Sequence, residues 1–234
     1  MELYCDFSNY LSITSIDDEP IYKCIVTGIK RIAENGRVLG VFGHHVPGKT
    51  NKDVQAITIF NQQLKHFPRY ICSFFPNLRS ISVIGCEIEA LSPFDFIGFE
   101  DVEKLLLNGN KITKLPGDVF QYAKNLESVS FFNNRIEHID EMTFEDLKKL
   151  KYLNLKMNAT IDLCVNEFAH VRMSMDQLKG FIKIKYGGRK IEDETKMTRK
   201  LSETLEFLEN FIESSRMLFE DDFKYNGTEV VDRN

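Results

Sequence analysis

Between Val54 and Asn158 the apolar positions return with a period of 24 residues. Leu78, Val102, Leu126 and Leu150 each open the same frame: aliphatic, two variable, aliphatic, one variable, aliphatic, two variable, then a polar residue. The frame opened by Val102 continues through Leu105, Leu107, Asn110, Ile112 and Leu115. The next runs Leu126, Val129, Phe131, Asn134, Ile136, Ile139. Leu78 is followed by Ile81, Val83, Cys86, Ile88 and Leu91, and one step back gives Val54, Ile57, Ile59, Gln62, Leu64, Phe67. Leu150, Leu153, Leu155 and Asn158 begin a fifth copy, with Thr160 where an aliphatic residue is expected. Late in each complete copy stands Cys72, Phe96, Phe120 or Phe144.

The alternation inside each frame predicts a short strand with one buried face. The remaining apolar positions must turn inward from the return segment. Each copy then buries about six side chains at roughly 1.5–3 kcal/mol apiece, but only against its neighbours, so stacked copies form a solenoid and a lone copy does not fold. The polar position closing the frame calls for an amide, because the turn there leaves backbone N–H and C=O groups in need of a donor and an acceptor together. Asn110, Asn134 and Asn158 meet that demand; Cys86 offers only a weak donor.

This frame resembles the leucine-rich repeat in its 24-residue extracellular form. The resemblance implies an α/β repeat fold: a leucine-rich-repeat solenoid with a curved parallel sheet on its concave side, an N-terminal cap and a C-terminal helical segment. The corresponding divisions are a cap over 1–53, repeats over 54–161 starting at 54, 78, 102, 126 and 150, and a C-terminal cap with an amphipathic helical tail over 162–234.

In the cap, Ile21 to Val26 reads as a strand, and Asn35-Gly36 ahead of Arg37 to Phe42 is a hairpin signal. A cap is needed because the first repeat would otherwise expose an apolar end and an unpaired strand edge. Gly43-His-His-Val-Pro-Gly48-Lys49-Thr50 matches the phosphate-binding pattern G-x-x-x-x-G-K-[ST] letter for letter. That loop must open a helix, whereas Asn51-Lys-Asp leads directly into the strand of the first repeat, so a nucleotide site is set aside. His45-Val-Pro-Gly-Lys-Thr-Asn-Lys-Asp-Val54 is instead similar to a segment of small secreted insect leucine-rich-repeat proteins, as is Cys5-Asp-Phe-Ser. Secreted members of this family place a disulfide-stapled cap where Cys5 and Cys24 lie, which implies a bond between them; two buried free thiols are the alternative. Cys72 and Cys86 fall on repeat positions expected to be buried. Cys164-Val-Asn-Glu-Phe-Ala resembles the start of a C-terminal cap, but the second cysteine expected about two dozen residues on is missing. Cys164 is then either a reactive or intermolecular thiol or a small buried cap residue.

Leu201, Leu205, Leu208, Ile212 and Phe219 predict a tail helix within 195–222. Residues 179–200 hold eight Lys/Arg and three Asp/Glu, while 201–222 hold one Arg and seven Asp/Glu. The seam and the charge blocks pair either two chains, making a homodimer through residues 195–222, or elements within one chain.

A net charge of -5 argues against nonspecific nucleic-acid binding, and no stretch reaches the length of a membrane span. No G-x-S-x-G, H-E-x-x-H or C-x-x-C occurs. His44 and His45 are expected to be solvated loop residues. No catalytic residue, metal or cofactor is expected. MELYCDFSNY lacks a secretory signal pattern, while the family resemblance and the sequons Asn158-Ala-Thr160 and Asn226-Gly-Thr228 favour a secreted glycoprotein whose leader lies upstream. Of the two sequons Asn158 is the poorer acceptor, because its amide belongs to the ladder.

Strand register predicts the outward residues: Ala56, Thr58, Phe60; Ser80, Ser82, Ile84; Lys104, Leu106, Asn108; Ser128, Ser130, Phe132; Tyr152, Asn154, Lys156. Two charged residues among fifteen is sparse for exposed positions, and a contiguous apolar patch marks a partner. The expected activity is non-enzymatic binding of another protein or peptide, with Phe60, Ser82, Ile84, Lys104, Leu106, Asn108, Ser130, Phe132, Tyr152 and Asn154 as its contacts. Extracellular or immune-type recognition is what the insect-type resemblance implies; an intracellular adaptor and an oligomerising scaffold are the alternatives.

Overall fold

The computed structural model describes residues 1–10, 21–31, 35–159, 161, 164–166 and 175–186. The chain divides into Met1–Gly188 and Arg189–Asn234. The tail seam of 195–222 and the sequon at Asn226 lie outside the described residues.

The strands are β1 (Glu2–Tyr10), β2 (Ile21–Lys30), β3 (Gly40–Phe42), β4 (Ala56–Phe60), β5 (Ser80–Ile84), β6 (Lys104–Leu106), β7 (Lys114–Leu115), β8 (Ser128–Ser130), β9 (His138–Ile139), β10 (Tyr152–Asn154) and β11 (Cys164–Asn166). One helix, α1 (Met175–Tyr186), follows. Nine of the strands form one sheet in the order β11-β10-β8-β6-β5-β4-β2-β1-β3, and β7 pairs with β9 in a second. From β4 to β10 every pairing is parallel and offset by one repeat, as Ile57↔Ile81, Ile81↔Leu105, Leu105↔Val129 and Leu153↔Val129 show. This is a leucine-rich-repeat solenoid, with the long sheet on one side and short turns on the other.

The core follows the period. Ile57, Ile81, Leu105, Val129 and Leu153 stack as one buried row, and Leu64, Ile88, Ile112 and Ile136 as another. Phe67, Phe96, Phe120 and Phe144 make a continuous aromatic spine, with ring centroids 5.2, 5.5 and 5.9 Å apart. Such pairs add about 0.5–1.5 kcal/mol beyond area burial, which is how each repeat is tied to the next. Cys72 departs from expectation: it is only half-buried, and Phe75 fills the core of the first repeat instead. Phe75 and Phe99 belong to a further row, one turn later in the unit. In the fifth copy Ile161, one place after Thr160, is buried and supplies the apolar contact.

The asparagine ladder is complete. Asn110 Oδ1 accepts from the N–H groups of Cys86 and Ile88, and its Nδ2 donates to the carbonyls of Val83 and Leu107. Asn134 repeats this with Ile112 N, Leu107 O and Phe131 O, and Asn158 with Ile136 N, Phe131 O and Leu155 O. Cys86 Sγ donates to carbonyls, at 3.2 Å to Ile84 O and 3.7 Å to Ile59 O, and its backbone carbonyl accepts from Leu64 N. A left-handed residue immediately precedes the ladder position in every copy: Asn61, Gly85, Gly109, Asn133 and Met157. It swings the chain from the strand into the ladder turn.

Both ends differ from the expected arrangement. Asn35-Gly36 does not join two paired strands. β2 pairs antiparallel with β1, and the chain then crosses β1 so that β3 lies parallel on its far side. Gly36, with φ 72°, fits because a Cβ there would stand 2.3 Å from the Phe67 carbonyl oxygen. At the other end β11 pairs antiparallel with β10. Helix α1 lies within the C-terminal segment expected over 162–234 but ahead of the 195–222 seam, and it buries Leu178 and Ile182, spaced to share one face.

Candidate functional site

The sheet turns alternate residues to the core and to solvent. Lys23, Ala56, Ser80, Lys104, Ser128 and Tyr152 align in register as one solvent-side column. Ile25, Thr58, Ser82, Leu106, Ser130 and Asn154 form the next. Phe60 and Ile84 open a third, continued past the strand ends by bonds from Gly85 N to Asn108 O, Gly109 N to Phe132 O and Asn133 N to Lys156 O.

Exposure along these columns is uneven. Phe60 is 54 % exposed, and Ile84, Lys104, Leu106, Asn108, Phe132, Tyr152 and Asn154 are half-buried. Ser82 and Ser130 correct the expectation of outward contacts, as does Ala56, because all three are buried. Their side chains are too short to rise between larger neighbours, and Ser130 Oγ donates to Asn108 Oδ1 at 2.6 Å. Asn108 Oδ1 also accepts from Phe132 N, which fixes the amide plane. Asn154 is held in the same way, its Nδ2 donating to the Tyr152 hydroxyl and its Oδ1 accepting from Lys156 N.

Two aromatic residues extend this face into the cap. Leu3, Cys5 and Phe7 of β1 are buried, so Tyr4 stands on the solvent side, opposite Phe42 in register. Their rings stack at 5.3 Å, and Lys30 Nζ lies 4.7 Å from the Tyr4 ring centroid. The alternation within Glu2–Tyr10 carried this signal, but without a repeat to fix its register the stretch had no assigned face.

Cys5 and Cys24 are joined by a disulfide across the β1–β2 pair, with Cα atoms 5.4 Å apart. Burial pushes the Cys72 thiol up to about 12 and raises the Cys86 thiol as well, so neither is a ready nucleophile. The phosphate-loop lookalike ends in Thr50, which caps a three-residue 3-10 turn, Asn51–Asp53, before β4. His45 in that loop is packed rather than solvated. It stacks on Phe7 at 3.9 Å, and its two ring nitrogens lie 2.9 Å from the Tyr22 hydroxyl and 2.9 Å from Asn51 Oδ1. Among the described residues no His, Cys, Asp and Glu side chains cluster as metal ligands do, and no helix is long and apolar enough to cross a membrane.

Residues 100–159 match the family model described as "Leucine rich repeat". The chain is 27% identical over 105 residues to the leucine-rich repeat-containing G-protein coupled receptor 5 of Rattus norvegicus, covering 45% of this chain and 11% of the receptor. The structure is similar to a chain of the Drosophila Toll–Spatzle complex, at 20% identity and a TM-score of 0.44 over 52% of this chain and 16% of that one. It is also similar to the leucine-rich-repeat ectodomain of the receptor kinase SOBIR1 from Arabidopsis thaliana, at 13% identity and a TM-score of 0.32 over 68% and 81% of the two chains. The chain thus spans a small part of the rat receptor's length.

Proposed function

We propose that this chain is a non-enzymatic binding module that acts outside the cell and engages a protein or peptide on the solvent face of its sheet. The observation that carries the reading is the third column. Phe60 stands half-exposed beside Ile84 in a row that continues to Phe132, on a surface with few charges. Interfaces concentrate their energy in such aromatic anchors, each worth about 2 kcal/mol or more when central. Replacing Phe60, Ile84 and Phe132 together by Glu removes that contact area while leaving the buried rows alone. Folding is expected to hold within about 1 kcal/mol per site, and a partner captured by the wild-type protein is expected to be lost. Lys124→Glu, on the opposite surface, is the control and leaves binding intact. A partner held equally well by a folded triple variant would place the binding surface elsewhere.

The extracellular setting draws on the Cys5–Cys24 bond, since such bonds persist in oxidising compartments, and on the insect-type resemblance of the cap, which also suggests a recognition role. An in-frame secretory leader in the transcript upstream of Met1 is the expected finding. Cys5 and Cys24 recovered as free thiols from the producing cells would instead favour an intracellular adaptor.

A further inference from the structure

The chain carries three Asn-Gly pairs, at Asn35, Asn108 and Asn226. Asn226 lies outside the described residues, and the other two are held in contrasting ways. An Asn-Gly pair carries latent chemistry, because glycine has no side chain to screen its backbone nitrogen from the amide carbon of the asparagine before it. At Asn108 that chemistry is blocked twice. Its Oδ1 is gripped from the next repeat by Ser130 Oγ at 2.6 Å and Phe132 N at 3.2 Å, and the Gly109 N–H is committed to the Phe132 carbonyl at 2.8 Å. Asn35 is exposed, and the bond its side chain makes is local: Oδ1 accepts from Arg37 N, two residues on, at 3.1 Å. That is an Asx turn. The ring it closes runs through both Cγ of Asn35 and the nitrogen of Gly36, and the donated hydrogen draws electron density away from Cγ.

We propose that Asn35 is a site of spontaneous covalent modification that lengthens the backbone at the joint between cap and array. The Gly36 nitrogen gives up its proton to solvent hydroxide and attacks Cγ of Asn35. Nδ2 takes a proton and leaves as ammonia, so that a cyclic imide remains. Water then opens the imide. Cleavage of the new N–Cγ bond gives aspartate at position 35, whereas cleavage of the original peptide bond gives isoaspartate, whose backbone passes through Cβ and Cγ and is one methylene longer. The segment that follows has no slack for it. A Cβ at Gly36 would already stand 2.3 Å from the Phe67 carbonyl oxygen, and the Gly36 carbonyl accepts from Arg69 N at 3.0 Å. Val38 N donates to Arg69 O at 3.1 Å, while the Arg37 carbonyl accepts from the Met1 amino group. Gly36 to Val38 thus tie the start of the cap to the first repeat, and isoaspartate at position 35 displaces that tie.

The test is incubation of the full chain in mildly alkaline buffer, followed by peptide mapping for the mass gain of amide to acid and by enzymatic isoaspartate labelling. The same chain in urea gives the rate of each pair without its fold. In the folded chain, conversion at Asn35 is expected to run about tenfold or more faster than at Asn108, because freeing Asn108 and Gly109 breaks several hydrogen bonds, and one or two net bonds already amount to a tenfold change. In urea the two should convert alike. Asn35→Gln, which would have to close a larger ring, should abolish the modified species. Conversion at Asn108 as fast as at Asn35, or none at Asn35 while the chain in urea converts, overturns the proposal. Hydrogen exchange reads the consequence: the Val38 and Arg69 amides should lose protection in the isoaspartate fraction and keep it in Asn35→Asp, which adds the charge without the methylene. Protection unchanged in the isoaspartate fraction, or lost equally in Asn35→Asp, overturns the effect of the longer backbone on the joint.

Discussion

At the scale of single residues, the chain is governed by what its tight turns leave unsatisfied. Asn110 and Asn134 are buried and each joins two repeats through donor and acceptor at once, so Asn110→Ala or Asn134→Ala is expected to cost roughly 1–3 kcal/mol, measured as a lowered urea midpoint. Midpoints matching wild type would mean that water serves those backbone groups equally well. The ladder was legible in advance because its period is fixed and its chemistry is narrow. The left-handed residue one place earlier was not, since Asn, Gly and Met all occupy it. Gly85 is the most constrained of these, with φ 65° and a Cβ position only 2.4 Å from Asn61 Oδ1. Gly85→Ala should therefore cost more than the roughly 1–2 kcal/mol of the left-handed conformation alone, and more than Gly109→Ala, whose Cβ would meet nothing nearer than 3.5 Å. Equal losses at the two sites in thermal melts would show that Asn61 simply moves aside.

At the scale of elements, local patterning predicted what repeats and missed what pairs at a distance. The strands of the array were placed by a period that fixes which residues face inward. No such constraint acts on β1, β3 or β11, whose partners are set by where the ends of the array leave edges to cover. Asn35-Gly36 illustrates the difference: its turn chemistry was recognised, but the strand laid against β2 is β1, which precedes it in sequence. The solvent side of the sheet was legible in its outline and mistaken in depth, because register says which way Ser82 and Ser130 point and not how far their neighbours rise above them. The bounds of helix α1 were not placed in advance because, among the described side chains, only Leu178 and Ile182 mark its buried side. Truncating either to Ala is expected to cost about 2–5 kcal/mol if α1 is part of the cooperative core. A loss below 1 kcal/mol, about the effect of a surface change, would mean that α1 detaches without consequence for the array.

At the scale of the described molecule, the question is whether the cap and the repeats are one cooperative body. β2 hydrogen-bonds to β4 in the same parallel register that joins one repeat to the next, with Cys24 opposite Ile57 and Val26 opposite Ile59. Beneath that joint Phe7 meets Phe75 edge-on at 6.2 Å, so the cap shares an aromatic contact with the first repeat. Nearest-neighbour coupling of this kind makes stability pass along the stack, because each unit has its apolar ends covered only by the next. The Cys5–Cys24 bond closes a loop with a sequence separation of 19, and a loop of about that length lowers the entropy of the unfolded chain by an amount worth about 3 kcal/mol. If cap and array unfold together, reduction with a phosphine shifts a single transition downward, and the array loses stability although it contains no part of the bond. If they are separate, reduction melts the cap alone, and the array transition stays where it was. Far-UV circular dichroism with hydrogen exchange read at β1 and at β8 distinguishes the two. Protection lost from both strands in parallel is expected; protection lost from β1 while β8 is untouched would show that the joint between β2 and β4 does not transmit stability.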